Sequence, residues 1–79
     1  MKKTIRPAKP KSARELLALN LRLLRVRKNI TQEQLAHDAG VNPGYISQIE
    51  TGTRAVSIDV VEKLAGALGV AIAVLLTDS

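Results

Sequence analysis

The sequence has 79 residues, a formal net charge of +5, no cysteine and one histidine. That length allows one small domain, and the absence of cysteine excludes a disulfide framework and a thiolate metal site. No apolar run is long enough to span a membrane and no apolar segment follows the charged N-terminus, so we expect a cytoplasmic protein.

The excess positive charge is confined to the first twelve residues, which contain no acid. Their basic residues are Lys2, Lys3, Arg6, Lys9 and Lys11. Pro7 and Pro10 disfavour a helix, so the sequence predicts a basic arm over residues 1–12 that is disordered in isolation. The arm either contacts the backbone or minor groove of DNA, or it is a solvated tail.

The first helix is predicted to begin at Ser12 or Ala13 and to run to about Lys28, with apolar residues on two sides. The first stripe, Leu17, Leu21 and Leu24, is expected to pack on the rest of the domain. The second, which we call the outer stripe, contains Leu16, Leu19, Leu23 and Val26. A helix that is apolar on both sides is usually covered on both. The outer stripe therefore predicts a contact with the arm, a second subunit or a protein partner; the alternative is an exposed patch.

Residues 31–52 predict two short helices joined by a tight turn. Thr31 opens a capping box, and Gly40 follows the last apolar residue of the first of these helices. Asn42 can cap the second, with Pro43 at its first position, and this helix is expected to end near Thr51. A helix–turn–helix results.

The two sides of the second of these helices differ in chemistry. At about 100° per residue, Ile46 and Ile49 face inward with Glu50. The outward residues are Gly44, Ser47, Gln48 and Thr51, with Tyr45 on the flank. Because a buried carboxylate needs a cation, we expect Glu50 to pair with Arg25 at the edge of the first stripe. The Gln48 amide could make paired hydrogen bonds to an adenine edge.

Ser57 is expected to cap a fourth helix that runs from Ile58 to about Leu68 and ends at Gly69. Its predicted buried residues are Ile58, Val61, Leu64, Ala65 and Leu68. The uncharged run at 70–76 is compatible with a strand or a short helix by periodicity alone.

These motifs resemble the phage-repressor and Cro-type helix–turn–helix family, also called the XRE family. The matching residues are Leu24-Arg25, Thr31-Gln32, Leu35-Ala36, Ala39-Gly40-Val41, Ile46-Ser47, Ile49-Glu50, Gly52, Leu64-Ala65 and Leu68-Gly69-Val70. The resemblance implies an all-α, compact five-helix domain like that of lambda repressor over residues 13–79, with a short fifth helix within 70–76. It also implies the Arg25–Glu50 pair. Asn29 stands where the family usually has glycine, but it tolerates a left-handed turn.

The family resemblance further implies a transcriptional regulator, either a repressor or an activator, that binds double-stranded DNA in the nucleoid. It would bind a pseudo-palindromic operator as a homodimer, with residues 42–51 as the recognition helix. The predicted base contacts are Gln48, Ser47, Gly44, Tyr45 and Asn42. The predicted phosphate contacts are Gln32, Arg54, Tyr45 and Lys28. The predicted dimer contacts are Val70, Ile72 and Val74.

Other features narrow the function. His37 has no nucleophile beside it and no phosphate-binding glycine loop is present, so we expect no enzyme, metal, cofactor or small-molecule ligand. Pro43 and Gly44 occupy positions where relatives often carry long base-reading side chains. We therefore expect fewer direct base contacts and a larger contribution to DNA recognition from the basic arm and from DNA shape. Within the family, the chain resembles restriction–modification controllers most, but the resemblance does not distinguish these from phage regulators or antitoxins. The alternative is a protein-interaction module, such as an antitoxin-like protein, in which the outer stripe binds a protein partner and DNA contact is secondary.

Overall fold

The computed structural model describes residues 11–78, so almost all of the predicted basic arm lies outside the described residues. Five helices follow in chain order: α1 (Ala13–Arg27), α2 (Gln32–Ala39), α3 (Pro43–Glu50), α4 (Ile58–Leu68) and α5 (Ile72–Leu75). Residues 11–78 contain no strand, and the all-α five-helix prediction is confirmed. None of these helices is both long and apolar enough to cross a membrane.

Local side-chain chemistry accounts for where the helices begin. Ser12 and Thr31 each accept a hydrogen bond from the third helical N–H, and in both cases the side chain at that position accepts one from the backbone N–H of the cap, which completes a capping box. Asn42 and Ser57 cap α3 and α4 through one side-chain hydrogen bond each, without a capping box. Asn29 adopts a φ of +58°, the left-handed conformation expected at the end of α1.

One apolar core joins the helices. Its fully buried large side chains are Leu21, Leu35, Ile46, Ile49, Leu64, Leu68 and Leu75. α3 packs against α1 and α2, α4 packs against α2, and the short α5 closes the core against α1 and α4. The helix that carries the exposed polar face is therefore held by two neighbours, which gives that face a fixed orientation.

The prediction that Ile58 belongs to the buried face of α4 was wrong. Its side chain is 69 % exposed. Because Ile58 is the first residue of α4, it lies at the margin of the helix interface. There it lines a surface groove with Ala13 and Leu76 instead of entering the core.

A polar residue of α1, which sequence reasoning missed, anchors the C-terminal segment. Asn20 Nδ2 donates hydrogen bonds to the carbonyl oxygens of Leu75 and Thr77, both at 2.9 Å. These bonds give a partner to the carbonyl group of Leu75, the last residue of α5, and to that of Thr77, two residues beyond the helix. Asn20 therefore fixes α5 against α1.

The outer stripe stays largely open. Leu19, Leu23 and Val26 are 50–57 % exposed, and Leu16 is half-buried. Within residues 11–78 no helix covers this surface, although Lys11 and Asp78 flank its N-terminal end. A contact with a partner on the outer stripe therefore remains a prediction.

Candidate nucleic-acid interface

The outward face of α3 is small, polar and accessible. Gly44, Ser47 and Gln48 are exposed, whereas Ile46 and Ile49 on the opposite face are fully buried. Asn42 uses its Oδ1 atom as the cap, accepting from the Gly44 N–H at 2.8 Å, so its amide NH₂ group is directed elsewhere. The face thus presents hydroxyl and amide groups of the kind that hydrogen-bond to base edges.

A two-point ion pair holds the other face of α3 to α1. Arg25 Nε lies 2.7 Å from Glu50 Oε2, and Arg25 Nη2 lies 3.1 Å from Glu50 Oε1. The two side chains are only 15 % and 5 % exposed. The hydrogen bond to Glu50 raises the pKa of Arg25 above its ordinary value, although desolvation opposes this and the charge of Glu50 adds to it. Arg25 therefore keeps its positive charge across the accessible pH range.

Two further contacts extend this pair into a network, and neither was predicted from the sequence. Arg25 Nη1 donates to the Ile30 carbonyl oxygen at 2.9 Å, and Gln32 Nε2 donates to Glu50 Oε1 at 3.1 Å. Because Gln32 is the first residue of α2, the network ties α1, α2 and α3 together. Any phosphate contact by Gln32 must use the second N–H of its amide or its backbone N–H.

The starts of α2 and α3 border an open cleft. Its lining residues are Arg25, Thr31, Gln32, Glu33, Pro43, Gly44 and Ser47. The start of α2 contributes the backbone N–H groups of Gln32 and Glu33 and a partial positive charge, which suits a phosphate. At the start of α3, Pro43 has no N–H, and the N–H groups of Gly44 and Tyr45 already donate to Asn42. The Glu33 carboxylate, which also lines the cleft, opposes that preference for phosphate.

The loop after α3 places a cation beside the exposed face of α3. The Arg54 guanidinium lies over the Tyr45 ring, with its Cζ atom 4.5 Å from the ring centroid. Arg54 Nη1 also donates to Gln48 Oε1 at 2.8 Å. The sequence predicted Arg54 as a phosphate contact and gave no signal for either contact, because both depend on how the loop folds back.

The remaining predicted residues lie on separate surfaces. Lys28 is the exposed residue at which α1 ends. Ile72 and Val74 are 37 % and 41 % exposed on α5, and Val70 is half-buried against the core. His37 is exposed, and the described residues contain no cluster of His, Cys, Asp and Glu that could hold a metal ion.

Comparisons with known proteins agree with this arrangement. The helix-turn-helix family model matches residues 21–75. A hypothetical transcription factor of Neisseria meningitidis serogroup B is 43 % identical over 58 residues, which is 73 % of this chain and 55 % of that relative. Control protein C.BamHI of Bacillus amyloliquefaciens is 47 % identical over 58 residues, 72 % of either chain.

A solved structure shows the same fold. The restriction-modification controller protein C.AhdI from Aeromonas hydrophila superposes with a TM-score of 0.76 at 35 % identity, covering 78 % of this chain and 94 % of that one. The region that the family model matches contains the whole of α2, α3, α4 and α5, together with the Arg25–Glu50 pair. The chain therefore belongs to the helix-turn-helix family of DNA-binding transcription regulators, which are not enzymes.

Proposed function

We propose that this chain is a sequence-specific regulator that binds a pseudo-palindromic operator as a homodimer, with α3 in the major groove. The observation that carries the proposal is the contrast between the two faces of α3. One face is held to the core through Ile46, Ile49 and the Glu50 network, while the other is exposed and polar. A helix held this rigidly can present its side chains to base edges without further ordering.

The predicted contact residues are assigned to the bases, the groove wall or the phosphates according to their position around the exposed face of α3. Gln48 and Ser47 lie at the centre of the exposed face and are proposed as base readers. Gly44, Tyr45 and Asn42 are proposed to lie at the groove wall. Gln32, Arg54, Tyr45 and Lys28 are proposed as phosphate contacts that set the register of the domain on the duplex.

The similarity to C.BamHI and C.AhdI supports a role as a controller of restriction–modification genes. The outer stripe supports a second candidate, a protein partner, because Leu19, Leu23 and Val26 leave apolar surface in water. A purified complex with another protein, combined with no affinity for duplex DNA, would favour that second role.

Selection of bound duplexes from a random pool tests the proposed function directly. The full chain is expected to enrich a two-fold symmetric motif. Gln48→Ala should retain the motif but lose the preference at one position in each half-site, at a cost of about 1–3 kcal/mol per base contact. An unenriched pool, from protein shown to be folded, would contradict sequence-specific binding.

Deletion of residues 2–10 tests the basic segment. The change removes Lys2, Lys3, Arg6 and Lys9 but keeps Ser12, which caps α1. Affinity for specific and non-specific duplexes should fall together, and the log–log salt slope should flatten by about 0.9 for each phosphate that the protein no longer neutralises. A full-length variant with these four residues changed to glutamine is the matched control and should reproduce the effect. An unchanged slope in both would identify a passive tail.

A further inference from the structure

The loop after α3 is folded back onto Gln48. The Gln48 carbonyl oxygen accepts from the Thr53 N–H at 3.1 Å, and from the hydroxyl groups of Thr51 at 3.1 Å and Thr53 at 3.2 Å. The two hydroxyl oxygens lie 3.0 Å from each other. These contacts hold residues 51–53 against the end of α3. They therefore also set the backbone position of the next residue, Arg54.

Two contacts then position the Arg54 side chain. Its planar guanidinium stacks on Tyr45, whose ring is half-buried against the core, with the Cζ atom 4.5 Å from the ring centroid. Its Nη1 atom meets Gln48 Oε1 at 2.8 Å. Stacking on a supported ring restricts the guanidinium to one plane, so the hydrogen bond to Gln48 is directional.

The chemistry of the two groups determines which way the Gln48 amide faces. A guanidinium has only N–H donors, so the amide atom that meets it must be the oxygen. The Gln48 NH₂ group must then point away from Arg54. A free glutamine on an exposed helix face could rotate to present either its donor or its acceptor, and Arg54 removes that choice.

We propose that Arg54 is a specificity-determining residue that orients Gln48 to read guanine rather than adenine. This inference rests on the proposed function, in which α3 enters the major groove. Paired contacts to adenine need a glutamine oxygen that accepts from N6 and a nitrogen that donates to N7. Guanine offers two acceptors, N7 and O6, which suit the outward NH₂ group of Gln48, whereas the N6 group of adenine is a donor.

A contact of Arg54 with phosphate alone predicts a different outcome. Phosphate contacts carry no direct sequence information, so their removal weakens binding to all sequences alike. Orientation of Gln48 instead changes the ratio of affinities between bases at one position. The two roles are therefore separated by base preference and not by affinity.

The test uses duplexes that carry each of the four base pairs at the position whose preference Gln48→Ala abolishes in site selection. The wild-type chain is expected to prefer guanine over adenine by about 5- to 150-fold, the range of one good paired contact. Arg54→Ala should reduce that ratio to less than about threefold. Arg54→Lys keeps the charge but lacks the planar fork, and it should relax the preference similarly.

Two controls complete the experiment. Lys28→Ala removes an exposed cation and should weaken binding to the four duplexes equally, leaving the ratio unchanged. In the Gln48→Ala background, Arg54→Ala should cause no further change of preference at this position, because the two residues act as a unit.

Three outcomes are distinguishable. A wild-type preference for adenine, or a ratio that survives Arg54→Ala, overturns the inference while leaving α3 as the reading helix. Failure of the wild-type chain to enrich any motif overturns the proposed function itself. A guanine preference that disappears in both Arg54 variants, with melting curves that show the fold intact, supports the orientation of Gln48 by Arg54.

Discussion

Replacing Arg25 with alanine is expected to destabilise the domain by about 3–5 kcal/mol, because Glu50 is then left buried without its cation. The change removes both hydrogen bonds from Arg25 to the carboxylate, together with the bond to the Ile30 carbonyl. The Gln32 amide remains beside Glu50 but carries no charge. Small domains are stable by only about 5–15 kcal/mol, so this variant is expected to melt at a much lower temperature or to fail to fold.

Chemical and thermal denaturation measure this effect. Arg22→Ala, which removes an exposed cation from the same helix, is the matched control and should change stability by less than about 0.5 kcal/mol. The double change Arg25→Met with Glu50→Leu should recover much of the stability, because no uncompensated charge is left in the core. A destabilisation under about 1 kcal/mol for Arg25→Ala would instead indicate a solvent-screened pair.

Replacing Ile72 with aspartate is expected to convert the proposed homodimer into a monomer that remains folded. A two-fold interface uses the same patch on both subunits, so the change places two carboxylates in one apolar seam. The fold should tolerate it, because Ile72 is 37 % exposed and is the first residue of α5, where a negative charge is favourable. Operator affinity should fall by about 10²–10⁴-fold, since the two half-sites are then bound independently.

Sedimentation at matched protein concentration, together with binding to the selected operator, measures both consequences. Leu23→Asp places the same charge on the outer stripe of α1, which is also exposed. If that variant becomes monomeric and Ile72→Asp stays dimeric, the interface lies on α1 and not on α5. In an α5-mediated dimer the recognition helices should meet successive major grooves about 34–36 Å apart, which footprinting of the operator can verify.

Most of the local structure could be predicted from the sequence. Thr31, Asn42 and Ser57 mark helix starts, because each of these side chains accepts a hydrogen bond from a backbone N–H two or three residues later in the chain. The spacing of Ile46 and Ile49 identifies the buried face of α3, because helical periodicity relates position in the chain directly to direction. The same periodicity places Gly44, Ser47 and Gln48 on the opposite, exposed face of α3.

Contacts between side chains of different helices could not be predicted, because they depend on how the helices pack. Gln32 reaches Glu50 across 18 positions of sequence, and Asn20 reaches Leu75 across 55. Nothing local distinguishes these amides from solvated ones, since each has several donors and acceptors and many available partners. The exposure of Ile58 was missed for a similar reason. Helical periodicity predicts which side of a helix a residue occupies, but it does not predict how far along that side the neighbouring helices extend. The orientation of Gln48 by Arg54 depends on how a loop turns back on α3, and such a path is set by packing and hydrogen bonds that form only once the core is assembled.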